Sequence, residues 1–313
     1  MKVFLLLLTP FGASLGLAFI GPRAGRWLAP STAVRLLASA SVVTALATGF
    51  VLSTIAFIAV AALPSVGAIG HWSTQALTAQ EHIPLVAGAM ATTVVVALLG
   101  LALRYSLSAA ADLVTADATC RRLGPGTDDL VIVEDDRPDA YVVPGVRGRV
   151  VVSTAMLRAL PADERRALLA HEHAHLKHRH HLYIQLTELG ARANPLLRPL
   201  VGAVRLEVER WADEDAAMAT GDRAVTARAI ARAALAQADR PTPIRAHQLA
   251  LGITTSPTVR RTRALLDTPA PPRSAPTLVL TALISAGPLS AVVCALVTEH
   301  VFEVAQAALL GRH

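Results

Sequence analysis

The stretch Glu164-Arg165-Arg166-Ala167-Leu168-Leu169-Ala170-His171-Glu172-His173-Ala174-His175-Leu176-Lys177 decides how this chain is partitioned. It is helical in character but not apolar: charged residues bracket it on both sides. Pro161-Ala162-Asp163-Glu164 opens the helix, with proline in the first turn and acidic residues at the positive end of the dipole. The pattern predicts one helix from there through the histidines towards Leu189. On such a helix His171 and His175 lie one turn apart on the same face. Two imidazoles so placed can grip one Zn2+, and Glu172 beside them can deprotonate a bound water. His173 is about 200° round the helix from His171 and cannot share that ion.

Such a site needs a third ligand and an open position. Glu207-Val208-Glu209-Arg210-Trp211-Ala212-Asp213 offers two candidates. Glu209 has a carboxylate one turn on, Asp213, which is placed to take the N–H of a ligating histidine and fix its tautomer. Glu207 is the rival, but Trp211 stands four residues beyond it. The reading is one Zn2+ per chain on His171, His175 and Glu209, with Glu172 as base and Asp213 as outer partner.

Working outward, the composition changes character. The 313 residues are 53% hydrophobic and only 17% charged, with mean hydropathy +0.48. That is too apolar for an ordinary soluble domain. The apolar residues cluster at about 3–20, 36–63, 84–103 and 276–298, and about 20 residues suffice to cross a bilayer. The expectation is a mainly α, multi-pass protein of the cell membrane with four transmembrane helices. A cytoplasmic zincin-like α+β metalloprotease domain, residues 104–275, lies between helices three and four, and 299–313 form a short extracytoplasmic tail. Lys2 before the first run also fits a signal peptide, yet no small-x-small cleavage site precedes Gly21-Pro22-Arg23, so the run is read as retained. The first loop carries Arg23, Arg26 and Arg35, whereas 67–83 have no Lys or Arg. The positive-inside rule therefore places the first loop and the central segment in the cytoplasm.

The net charge of +6 comes almost wholly from arginine, Lys2 and Lys177 being the only lysines. Cytoplasmic flanks account for it better than direct nucleic-acid binding does. Cys120 and Cys294 offer neither a disulfide framework nor a thiolate metal site. In the central segment, 104–122 read as a helix continuing out of the membrane until Gly124-Pro125-Gly126. Short β-branched runs at 130–133, 140–143 and 150–152 predict a small sheet, the last two joined through Pro144-Gly145-Val146-Arg147-Gly148. Asn194-Pro195 begins a helix that carries Glu209 and Asp213 to Gly221, and 223–238 form another.

Together these residues resemble the integral-membrane gluzincins. The resemblance rests on Asp139-Ala140-Tyr141-Val142-Val143-Pro144-Gly145, the strand ending Val-Ser-Thr, the pentad with its lead-in, and Glu209-Arg210-Trp211-Ala212-Asp213. Their charged surroundings exclude a pentad buried in a transmembrane helix, as in site-2 proteases. Two branches share the pattern, the HtpX-like and CAAX prenyl endopeptidases and the BlaR/MecR-type antirepressor peptidases. The wording around Glu209 is similar to the second. The resemblance implies that His171, His175 and Glu209 bind zinc, that Glu172 is the general base and that Asp213 supports the site. It also implies that Val150, Val151, Val152 and Ser153 form the edge to which a substrate peptide adds. Thr254-Thr255-Ser256-Pro257, followed by Arg260 and Arg263, resembles a Thr-His-Pro…Arg element in which serine replaces histidine. Sensor members of the second branch carry a penicillin-binding domain after the last helix, whereas this sequence has only 299–313 there. The implied function is hydrolysis of peptide bonds in a cytoplasmic protein, such as a BlaI-type transcriptional repressor. The alternatives are HtpX-like quality control of membrane proteins and a catalytically silent receptor. The implied partners are the lipid bilayer and a polypeptide substrate.

Overall fold

Long apolar runs become long helices because a segment without water must satisfy its own backbone polar groups. In this computed structural model, residues 2–80, 85–122, 129–145, 148–238, 257–267 and 274–310 are described. Helix α1 (Lys2–Ile20) runs through Pro10 and leads into a 3-10 turn at Gly21–Arg26. Helix α2 (Pro30–Ala61) is followed by the short helices α3 (Pro64–Gly70) and α4 (Thr74–Gln80). Helix α5 (Leu85–Arg122) continues past its apolar part without a break. Strands β1 (Leu130–Val133), β2 (Ala140–Val143) and β3 (Arg149–Ser153) come next. Helices α6 (Thr154–Ala159), α7 (Ala162–Lys177), α8 (His180–Ala193), α9 (Arg198–Thr220) and α10 (Arg223–Ala238) follow. Two more described helices complete the order, α11 (Pro257–Leu266) and α12 (Ser274–Leu310).

Among the described residues three helices are long and apolar enough to cross a membrane, Pro30–Ala61, Val86–Arg122 and Ala275–Leu310. The first apolar run forms the helix α1 that packs on α2 and α12. Helix α12 does not stop near 298. It continues to Leu310, where Val301 and Ala305 bury against Ala61 and Leu77.

The sheet order is β1-β3-β2, with β1 parallel and β2 antiparallel to β3. This corrects one expectation. Val150, Val151, Val152 and Ser153 lie on the central strand, paired to Leu130–Val133 on one side and Ala140–Val143 on the other. Their backbone groups are already used, so they offer no edge to a peptide. The three valines are buried, and Ser153 caps α6 through Met156 N at 3.0 Å. Strands β1 and β2 are the outer strands of this sheet.

The single helix expected from 162 to 189 is two. Helix α7 ends at Lys177, and Arg179 adopts a left-handed conformation (φ 51°) that starts α8 in a new direction. The end of α9 behaves as read: Gly221 closes it at φ 71°, where a side chain would be strained.

The largest hydrophobic cluster is shared between the apolar helices and the central segment. Leu17 of α1, Val34 and Leu37 of α2 and Leu280 of α12 pack with Leu200, Val204, Val208 and Trp211 of α9. Full burial of each such aliphatic side chain contributes about 1.5–3 kcal/mol, so residues 104–275 share their largest core with the apolar helices. Helix α8 lies so close to α2 that a Cβ on Gly190 would stand 2.9 Å from the Ser41 backbone. The Ser41 hydroxyl donates to the Thr187 carbonyl at 3.2 Å. At the α8–α9 corner, buried Asn194 donates to Ser14 (2.8 Å) and Thr48 (3.1 Å) and accepts from Leu196 N. One amide thereby ties α1, α2 and the central helices together.

Candidate active site

Helices α7 and α9 cross so that the imidazoles of one face the carboxylates of the other. His171 Nε2 and His175 Nε2 are 3.1 Å apart. Glu209 Oε2 lies 3.6 Å from the first and Glu209 Oε1 3.7 Å from the second. One atom from each residue falls within 4.8 Å of the others, a set able to hold a metal ion. Ligands at 2.0–2.2 Å from a tetrahedral ion stand about 3.4 Å apart. The spacings bracket that edge, so the two imidazole nitrogens and the Glu209 carboxylate are placed to share one ion. The far nitrogens are also engaged. His171 Nδ1 faces Asp213 Oδ1 at 2.9 Å, and His175 Nδ1 faces His180 Nδ1 at 3.0 Å. Such partners turn the opposite nitrogens towards a shared ion.

Glu207 is elsewhere. It is buried against the Gly21–Arg26 turn and bound by Arg210 Nη1 at 2.9 Å, while the same Nη1 donates to the Gly25 carbonyl. Of the two glutamates, Glu209 is the one that joins the His171–His175 cluster. His173 is exposed. His178 pairs with Asp215 at 2.7 Å and stacks on Trp211. His181 and Ile184 of α8 line the cleft on the side where α8 turns towards α2.

Arg261 of α11 is the site residue that sequence reading missed. Its Nε and Nη2 grip Asp213 at 2.8 and 2.6 Å, and its Nη1 reaches Glu209 at 2.8 Å. The expected residues Arg260 and Arg263 are exposed. The available signal was Leu265, one turn after Arg261 and buried: the inward face of this helix passes through Arg261. Residues 254–256 of the Thr-Thr-Ser-Pro element lie outside the described residues.

The surrounding charges set the protonation of these side chains. Burial pushes the His171 imidazolium down, but its hydrogen bonds to the Asp213 and Glu209 carboxylates prevail and raise it to about 9. Burial and the neighbouring His171 lower His175 to about 4. Burial likewise lowers His180, to about 3. For Glu209 and Asp213 burial works towards protonation, yet hydrogen bonds from His171 and Arg261 and the charges around them hold both well below the usual carboxylate range. Burial raises the Glu172 carboxyl, opposed by the charge of His171. The Glu172 pKa is therefore above that of an ordinary carboxylate, the direction that makes it a stronger base.

These groups line one end of a cleft of about 560 Å3. Its walls are Asp139–Val142 and Pro144 along β2, Leu168 of α7, and Ala229, Ile230 and Ala233 of α10. Strand β2, an outer strand of the sheet, thus runs beside the histidines and Glu172.

A model of the peptidase family M48 matches residues 113–289, more than half of the sequence. The chain belongs to peptidase family M48. The matched M48 region begins within α5 and ends within α12, so it takes in parts of two long apolar helices as well as the cleft. A protease HtpX homolog from Aeropyrum pernix is 31% identical over 152 residues, covering 36% of this chain and 48% of that protein. The chain thus spans about half the length of the curated relative it matches. No solved structure matches it.

Proposed function

We propose that this M48 protein is a membrane-anchored zinc metalloendopeptidase. The observation that carries the proposal is the convergence of His171, His175 and Glu209 at tetrahedral spacing, with Glu172 beside them in a cleft walled by β2. Zinc held there would polarise a scissile carbonyl and acidify a water molecule. The remaining work falls to the chain. The outer side of β2 adds a substrate strand by main-chain hydrogen bonding, replacing β3 in the role first expected for Val150–Ser153. The apolar wall of α7 and α10 takes up side chains and excludes water. Glu172 takes a proton from the attacking water at its carboxylate and passes it to the leaving nitrogen. Arg261 holds Glu209 and Asp213 in place and sets a positive charge at the cleft wall, where negative charge develops on the carbonyl oxygen.

The substrate is a polypeptide presented at the membrane surface. Helix α8 supports this, since it lines the cleft with His181 and Ile184 at one end and buries against α2 and α5 at the other. All four apolar helices span the bilayer in this reading, and the Arg23–Arg35 loop and the cleft face the cytoplasm. The similarity to the HtpX homolog favours a role in removing damaged membrane proteins. Cleavage of a cytoplasmic repressor is the second reading, favoured by the sequence Glu209-Arg210-Trp211-Ala212-Asp213. The test is proteolysis of an unfolded polypeptide by detergent-purified protein. Wild type should cleave, and Glu172→Gln should bind zinc equally while losing at least about 10²-fold in rate. Cleavage at the wild-type rate by Glu172→Gln would overturn the assignment.

A further inference from the structure

The two candidate ligand histidines are supported by different chemistry. His171 Nδ1 faces a carboxylate, Asp213, at 2.9 Å, whereas among the described residues no carboxylate is paired with His175 Nδ1. Its Nδ1 meets the Nδ1 of another histidine, His180, at 3.0 Å. The turn at His178 and Arg179 makes this contact. By breaking α7 from α8, the left-handed Arg179 folds the first residue of α8 back under the helix that carries His175. His180 is 1% exposed, its ring set edge-on to His175 with centroids 4.9 Å apart. Trp211 of α9 lies against its other side at 4.8 Å, and the Arg35 guanidinium of α2 sits 5.0 Å over that indole. The remaining nitrogen of His180, Nε2, has no hydrogen-bond partner among the described residues.

The tautomers follow from the geometry. His175 directs Nε2 towards His171 and Glu209, so a metal there takes that lone pair and leaves the proton on Nδ1. His180 Nδ1 must then be unprotonated to accept it, and the proton of His180 sits on Nε2, in the pocket against Trp211. We infer that His180 is a positioning residue for metal binding, accepting the Nδ1–H of His175 through its own Nδ1 and so fixing the tautomer and ring angle of that ligand. The inference rests on the metal-site reading of His171, His175 and Glu209. Its consequence is an asymmetric centre: one histidine is backed by an anion and made more electron-rich, while the other is backed by a neutral acceptor that orients it without adding charge.

The test is zinc affinity, by chelator competition on detergent-purified protein, with the Co2+-substituted visible spectrum as a second readout. Three proteins are compared: wild type, His180→Asn and His180→Leu. Asparagine places an acceptor oxygen where His180 Nδ1 stands, while leucine fills the space without one. His180→Leu should weaken zinc binding by about 10- to 100-fold and alter the Co2+ bands. His180→Asn should stay within about threefold of wild type. Equal affinity in wild type and His180→Leu would overturn the inference, as would equal losses in Leu and Asn, which mark a packing role. Should the leucine protein fail to fold, His180→Phe, which also lacks an acceptor, takes its place beside His180→Asn: a tenfold or greater loss in Phe with Asn near wild type upholds the role, and equal affinities in the two overturn it. Wild type that takes up no stoichiometric zinc would instead strike at the metal-site reading beneath.

Discussion

The two flanks of the cleft are built on opposite principles. On one side α8 and α9 are locked to the apolar helices by the largest hydrophobic cluster, by Ser41–Thr187 and by Asn194 bridging Ser14 and Thr48. On the other side the sheet and α10 share a smaller cluster, Val152, Met156, Leu160, Leu168 and Ala233. There β2 is tied to α10 by the hydrogen bond from Gln237 to Asp139, at 3.1 Å. The heavy flank carries Glu209, Asp213 and His180, which in the proposed centre would hold an ion or orient the histidines that hold it. The light flank carries the strand beside which a substrate would lie. Rigid support is concentrated around the proposed metal centre, and the looser wall is the one beside which the proposed peptide substrate would lie. Amide hydrogen exchange should therefore show α9 protected more strongly than β2 and α10, and equal protection would break the comparison.

The largest expected effect is at the heavy flank. Gly190→Leu drives a side chain into the Ser41 backbone and should abolish the docking of α8, giving a protein that no longer yields a cooperative unfolding transition in detergent. Asn194→Ala removes one amide serving two hydroxyls and should cost about 1–3 kcal/mol, read as a lowered unfolding midpoint. The comparison sharpens at the histidines. In the metal-free protein His171 is raised from 6.5 to about 9, so zinc must displace a proton over that range. Its affinity should rise about tenfold per pH unit below about 9 and flatten above it. A pH-independent affinity would contradict the Asp213–His171 pairing. On the light flank Gln237→Ala should cost less than about 1 kcal/mol while changing KM more than kcat. The smallest effect is at Arg179, held at φ 51°: Arg179→Gly should leave stability unchanged or raise it by up to about 1 kcal/mol.

What was legible in the sequence was local. The continuation of α5 to Arg122, the three short strands, the start at Asn194, the stop at Gly221 and the one-turn spacing of His171 with His175 all follow from neighbouring residues. So does the pairing of Glu209 with Asp213, which share a helix face. The rest depended on partners distant in sequence. Nothing near 150–153 reveals that β3 is central, since strand order is set by the parallel return of β1. The break at Arg179 carries no glycine or proline; the burial of His180 against Trp211, 31 positions on, accompanies it. Arg261 reaches a carboxylate 48 positions away. The shared core was hidden because α8 and α9 carry enough charge to read as water-exposed, although their apolar faces are buried on α2.

The most direct measurement is the zinc content of three purified proteins, wild type, Glu209→Ala and Glu207→Ala. The account predicts one zinc per chain in wild type and in Glu207→Ala, provided the latter remains folded, and its loss in Glu209→Ala. Full zinc in Glu209→Ala would contradict the centre described here, as would a wild-type chain that binds none.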